Sequence, residues 1–114
     1  MITSSPHLKS YMLDYMHNSG ISIRTKGSKY LYLAIISYIN GTEKMTDIYR
    51  MIADAEHTSE CSIERSIRNC IKTAWKICRE DKRSSLFPYR AAQRPPSNGE
   101  VISVFANKIA LRFL

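Results

Sequence analysis

Apolar positions along this chain recur at helical spacing wherever proline, glycine or a polar cluster does not interrupt them. Leu8, Met12, Leu13 and Met16 make the first stripe. It is opened by Ser5-Pro6, a serine cap with proline at the first helical position, and closed by Ser19-Gly20. Ile21–Gly27 reads as a loop carrying Arg24 and Lys26. In Ser28–Asn40 the run YLYLAIISYI is apolar on nearly every side, which marks a central element. Its tyrosines and β-branched residues leave a strand as the rival reading, but Asn40-Gly41 is a helix stop and the neighbouring elements are helical, so a helix is predicted. A third helix, capped by Thr42 or Thr46, runs to about Ala55 with Met45, Ile48, Ile52 and Tyr49 turned inward.

Ser59–Cys78 carries the sharpest division of character. Wound at about 100° per residue, it gathers Ile63, Ile67, Cys70, Ile71, Ala74 and Cys78 in one arc, with Trp75 at the border. Ser62, Arg65, Arg68, Asn69, Lys72 and Lys76 fill the opposite arc. Glu64 lies between the two, placed to steady a neighbouring arginine or to accept from a cytosine amino group. Glu56-His57-Thr58 separates this helix from the previous one, so residues 46–78 follow the pattern of a helix-turn-helix, with small Ala53 where the helices would cross. An ordinary amphipathic helix with a solvated basic face shows the same periodicity and stays open at this point.

Beyond Cys78, Arg79–Ser85 is too polar to bury, Leu86–Tyr89 (LFPY) is a compact apolar anchor, and Arg90–Pro96 is a basic loop that proline keeps from being helical. Ser97-Asn98-Gly99-Glu100 satisfies the S-x-x-E capping box. Val101, Ile102, Val104, Phe105, Ile109, Leu111 and Leu114 then build a closing amphipathic helix.

Charge adds a partner class to this outline. The 114 residues carry 17 Lys and Arg against 10 Asp and Glu, a net +7, and residues 60–94 alone hold nine basic and four acidic side chains, net +5. That concentration favours a polyanion: DNA, RNA or an anionic membrane surface. No apolar run approaches the roughly 18 residues of a membrane span, and the N-terminal stretch lacks a signal peptide's apolar run, so no membrane association and a cytoplasmic location are expected. Cys61, Cys70 and Cys78 are spaced for neither a CxxC redox site nor zinc and read as reduced core thiols. His7, His17 and His57 lie in separate elements and no nucleophile, phosphate-loop or metal motif is present, so neither catalysis nor a cofactor is expected. The length suits one domain over residues 1–114.

Three segments resemble, in order, the C-terminal effector domain of stage 0 sporulation protein A: KGSKYLYLAI, IYRMIADAEHTSECSIERSIRNCIKTAW, and SSLFPY followed by PSNGEVISVFANKIAL. The match covers about residues 20–111. Its most specific pieces are Ile63–Trp75 and Ser84–Tyr89, standing eight residues apart. The resemblance implies an all-α domain whose helix-turn-helix binds short asymmetric DNA boxes, often as head-to-tail copies, and contacts an RNA polymerase sigma factor. It puts Glu64, Arg65 and Arg68 on the family's Glu-Arg…Arg, the first two being base readers. Where the family has Ser-Arg before that core, this chain has Cys61-Ser62, so one guanidinium is missing and the target sequence is left open. The segment after YLYL and the loop before Pro96 are also shorter than in the family. The family's full-length proteins carry a phosphorylatable receiver domain ahead of this one. If Met1 is the native start, receiver phosphorylation cannot gate this chain; a fragment of a longer protein would read the same.

The expected architecture is therefore all-α, about six helices in one compact bundle. Double-stranded DNA is the expected partner of a face made of Ser59, Ser62, Glu64, Arg65, Arg68, Asn69 and Lys72, with His57 in the turn and Arg94 in the basic loop. The rival is a module that keeps this fold but docks on sigma factor or on a full-length homologue without reading DNA.

Overall fold

The computed structural model describes residues 6–81 and 95–113, with the side chains of the fourth helix described as far as Ile77. Every regular element among the described residues is an α-helix: α1 (Pro6–Asn18), α2 (Lys26–Ile39), α3 (Met45–Glu56), α4 (Glu60–Asp81) and α5 (Asn98–Phe113). The all-α expectation holds, and the described residues contain five helices rather than about six. Ser5, the Leu86–Tyr89 anchor, Arg94 and Leu114 lie outside the described residues.

The helix ends show how local sequence directs the chain. After α1, Gly20 adopts φ 86°, its N–H donates to the His17 carbonyl at 3.0 Å, and the Ile21 N–H donates to the Met16 carbonyl at 3.0 Å. This is a Schellman end, whose apolar residue after the glycine folds back onto the helix. Ile21, expected in a loop, is accordingly 1% exposed. Gly41 at φ 109° ends α2 in the same way, with Thr42 N–H donating to the Ser37 carbonyl. Thr42 is thereby spent on closing α2, and α3 starts at Met45 behind Lys44, which makes no side-chain cap. The expected cap at Thr42 or Thr46 is thus not used. Helix α2 starts two residues earlier than predicted, because Thr25 Oγ1 accepts from the Ser28 N–H at 3.1 Å and caps a turn beginning at Lys26.

α2 is the helix that α3, α4 and α5 surround. Leu31, Ala34 and Ile35 are fully buried, and α2 packs against α3, α4 and α5. The core face of α4, Ile63, Ile67, Ile71 and Ala74, is at most 1% exposed, as its periodicity required. Burying an isoleucine of this kind stabilises by about 1.5–3 kcal/mol. Trp75 is half-buried against the same core. α1 closes one side through an edge-to-face contact of Tyr15 with Phe105, their centroids 4.9 Å apart, and of Tyr11 with Phe113 at 5.3 Å. Leu111, expected inside, is 85% exposed.

Candidate nucleic-acid interface

α3 and α4 are joined by three residues, and the way that turn is built decides what α4 can offer to a partner. His57 takes a left-handed conformation (φ 55°, ψ 47°), its N–H donates to the Ala53 carbonyl, and the Thr58 N–H donates to the same carbonyl at 3.0 Å. A histidine stands where glycine usually ends a helix. His57 therefore caps α3, by its backbone. Ser59 then caps α4: its Oγ accepts from the Ser62 N–H at 3.1 Å, while its hydroxyl donates to Ser62 Oγ at 3.0 Å. Both serines predicted to face a partner are engaged in starting the helix. Lys29 of α2 reaches Glu56 at 2.8 Å and braces the end of α3, the contact that raises the lysine's pKa.

Among the described residues, nothing covers the outer face of α4. Arg65, Arg68, Asn69, Lys72 and Lys76 are exposed, and Arg65 and Lys72 stand about two turns, or about 10.5 Å, apart along it. Glu64 accepts from the Arg68 guanidinium across one turn, so its carboxylate does steady a neighbouring arginine. Arg65, Asn69 and Lys72 make no side-chain ion pair among the described residues. Cys61 is exposed in the first turn, which corrects its placement among core thiols. Cys70 is partly buried, and that burial pushes its thiol up to about 11, against a smaller opposing effect from its hydrogen bond with Thr25. The helix runs on to Asp81, three residues past the predicted end at Cys78.

Two helix starts flank this face. On one side the first turn of α2 lies so close that a Cβ on Gly27 would sit 2.5 Å from the Ser66 carbonyl oxygen and 2.9 Å from Cys70 Cβ. On the other side α5 begins with the predicted capping box, Ser97 N–H donating to Glu100 Oε1 at 3.1 Å and Glu100 N–H to Ser97 Oγ at 3.2 Å. There the buried Asn98 donates from Nδ2 to the Glu64 carbonyl at 3.0 Å and to Tyr49 Oη at 3.2 Å, joining α5 to α4 and α3. Tyr49, with Glu64, Arg68, Lys72 and residues 95–99, lines a cavity of about 360 Å³. Burial raises the Tyr49 pKa, and the Glu64 carboxylate adds to that rise, while Asn98 and Arg68 oppose it. Sequence reading missed Asn98, whose only visible role was as a filler inside the capping box.

The family model for the sporulation initiation factor Spo0A C terminal matches residues 12–109, taking in the second half of α1 as well as all but the last two residues of the motif resemblance. Among the described residues no helix is long and apolar enough to cross a membrane. With the match running over most of the 114 residues and over a helix-turn-helix whose second helix has an exposed, cationic outer face, the chain belongs to the family of Spo0A C-terminal effector domains, a DNA-binding family of sporulation transcription regulators.

Proposed function

We propose that this protein regulates transcription by reading a short DNA box with α4 in the major groove. The observation that carries the reading is the exposed face of α4, which begins just past the turn and presents Arg65, Asn69 and Lys72, none of them in a side-chain ion pair among the described residues. A major groove about 12 Å wide admits one helix, and residues in its first turns reach base edges. Arg65 is the guanine reader, since its fork matches the O6 and N7 acceptors. Glu64 is a second reader, its carboxylate shared between Arg68 and a cytosine amino group. Arg68, Lys72 and the basic loop with Arg94 bind phosphates. Asn69 lies on the same face and contacts whichever base or phosphate the helix brings beside it. Ser59, Ser62 and His57 contribute through the shape of the turn, with their backbone and the two serine hydroxyls near the sugar-phosphate chain.

Head-to-tail pairing on tandem boxes and a contact with sigma factor belong to the same proposal. They are supported by the family to which the chain belongs. The test is binding of the 114-residue chain to a duplex selected from a random pool and to its scrambled version, over a range of salt. Preference for the selected duplex, with log affinity falling by about 0.9 per phosphate neutralised, is the expected result. Equal weak binding with a flat salt response would favour a module that docks on a polymerase subunit or a homologue instead.

A further inference from the structure

Asn98 is 8% exposed, and both of its Nδ2 bonds leave its own helix. One goes to the Glu64 carbonyl, which can only accept, so the amide nitrogen must face α4. The other goes to the hydroxyl of Tyr49 on α3. The Glu64 carbonyl belongs to the α-helical ladder of α4, and a carbonyl oxygen has a second lone pair for an outside donor. The bond from Asn98 therefore does little to form α4 and much to fix where its second turn lies. That turn carries Glu64 and Arg65. The apolar contacts of α5, through Val101, Ile102, Phe105, Ala106 and Ile109, hold that helix to the core without Asn98. Apolar contacts are not directional, so they leave small rotations of α4 cheap. A bidentate arginine is not tolerant of such rotation, because hydrogen bonds weaken steeply away from about 3 Å and linearity.

We propose that Asn98 is a positioning residue for base reading: with Tyr49, it fixes the second turn of α4 between α3 and α5 so that Arg65 and Glu64 meet base edges in one geometry. This rests on the DNA-reading function proposed above. Asn98 touches no DNA in this account and acts through the backbone of Glu64.

The test compares the full chain with Asn98→Leu, which keeps the branched shape and heavy-atom count and adds no charge, and with Tyr49→Phe, which keeps the ring and removes the acceptor. Each is titrated with the selected duplex and with its scrambled version over the same salt series. Folded Asn98→Leu is expected to lose about tenfold in the ratio of the two affinities, the scale of one mismatched base pair, with scrambled-duplex affinity and salt slope unchanged. Tyr49→Phe is expected to lose a smaller part of the ratio, because Asn98 keeps its bond to α4. If wild type does not distinguish the duplexes, the DNA-reading function itself fails. If wild type discriminates and folded Asn98→Leu discriminates equally, or loses equally on both duplexes, the positioning role is overturned alone. Should Asn98→Leu not fold, an undiminished ratio in Tyr49→Phe overturns it.

Discussion

The two flanks of α4 are held by different physics. On the α2 side the seat is steric: Gly27 lets backbone meet backbone, and a single methyl group would intrude on the Ser66 carbonyl at 2.5 Å. On the α5 side the seat is polar and directional, two hydrogen bonds from one buried amide, beside an open cavity and the Glu64–Arg68 pair. The steric flank fixes how close α4 lies to the core and has no give. The polar flank fixes its rotation, and it does so next to the side chains that face outward. Damage to the first is expected to appear as lost stability, and damage to the second as lost discrimination.

The core between the flanks sets the scale. Ile67→Ala, at a side chain 0% exposed, should cost about 2–5 kcal/mol in denaturant unfolding, with no special effect on either flank. Gly27→Ala comes next, at about 1–3 kcal/mol of overpacking, with affinity for selected and scrambled duplex reduced together. A Gly27→Ala protein as stable as wild type would show that α2 can move off α4, and the contrast between the flanks would collapse.

Alkaline titration separates the flanks further. Cys70 on the steric side is raised to about 11 and Tyr15 in the core to about 12, and Tyr49 on the polar side is raised as well, in each case chiefly by burial. A raised pKa means that the folded state keeps its proton longer than the unfolded one. The stability is therefore complete below the ordinary thiol value of 9.0 and is lost as pH rises through about 11 for Cys70, with the tyrosines following from 10.0 upward. Thermal melts between pH 8 and 11 should show a falling midpoint, and Cys70→Ala should remove the earliest part of the fall. Peptide mapping after brief alkylation at neutral pH should find exposed Cys61 modified before Cys70.

The smallest expected effect is at the turn. His57 holds φ 55° without being glycine, so His57→Gly should raise stability by up to about 1 kcal/mol. Unchanged DNA affinity in that variant would confine His57 to shaping the turn; a loss would give its imidazole a phosphate.

What the sequence made legible, and what it hid, follows from the range of each interaction. The apolar arc of α4 as far as Ala74, the S-x-x-E start of α5 and the glycine ends of α1 and α2 are written within a few residues, and all are found in the structure, while the side chain of Cys78 lies outside the described residues. Ile21 lies in the loop as expected, and only its burial was hidden, because a Schellman end buries the residue after its glycine, a rule that acts one position beyond the hydrophobic stripe. Periodicity puts Leu111 inside, because it says which face a residue shares but not where the neighbouring helix ends, and the side chain is exposed. Gly27 and Asn98 were invisible as seats for α4. Each meets a residue more than thirty positions away, and nothing in the local pattern of either distinguishes a filler from a contact.

The central claim is that the bare face of α4 reads bases as well as binding charge, and its parts are separable along the helix. Arg65 sits in the second turn and Lys72 about two turns beyond, where the helix would leave the groove in the proposed binding mode. Arg65→Ala and Lys72→Ala, each titrated with the selected duplex and its scrambled version, give the most direct measurement. Arg65→Ala should lose about 1–3 kcal/mol on the selected duplex and much less on the scrambled one. Lys72→Ala should weaken both alike and lower the salt slope by about one phosphate contact. Equal losses for Arg65→Ala on the two duplexes would contradict base reading and leave that arginine a phosphate clamp.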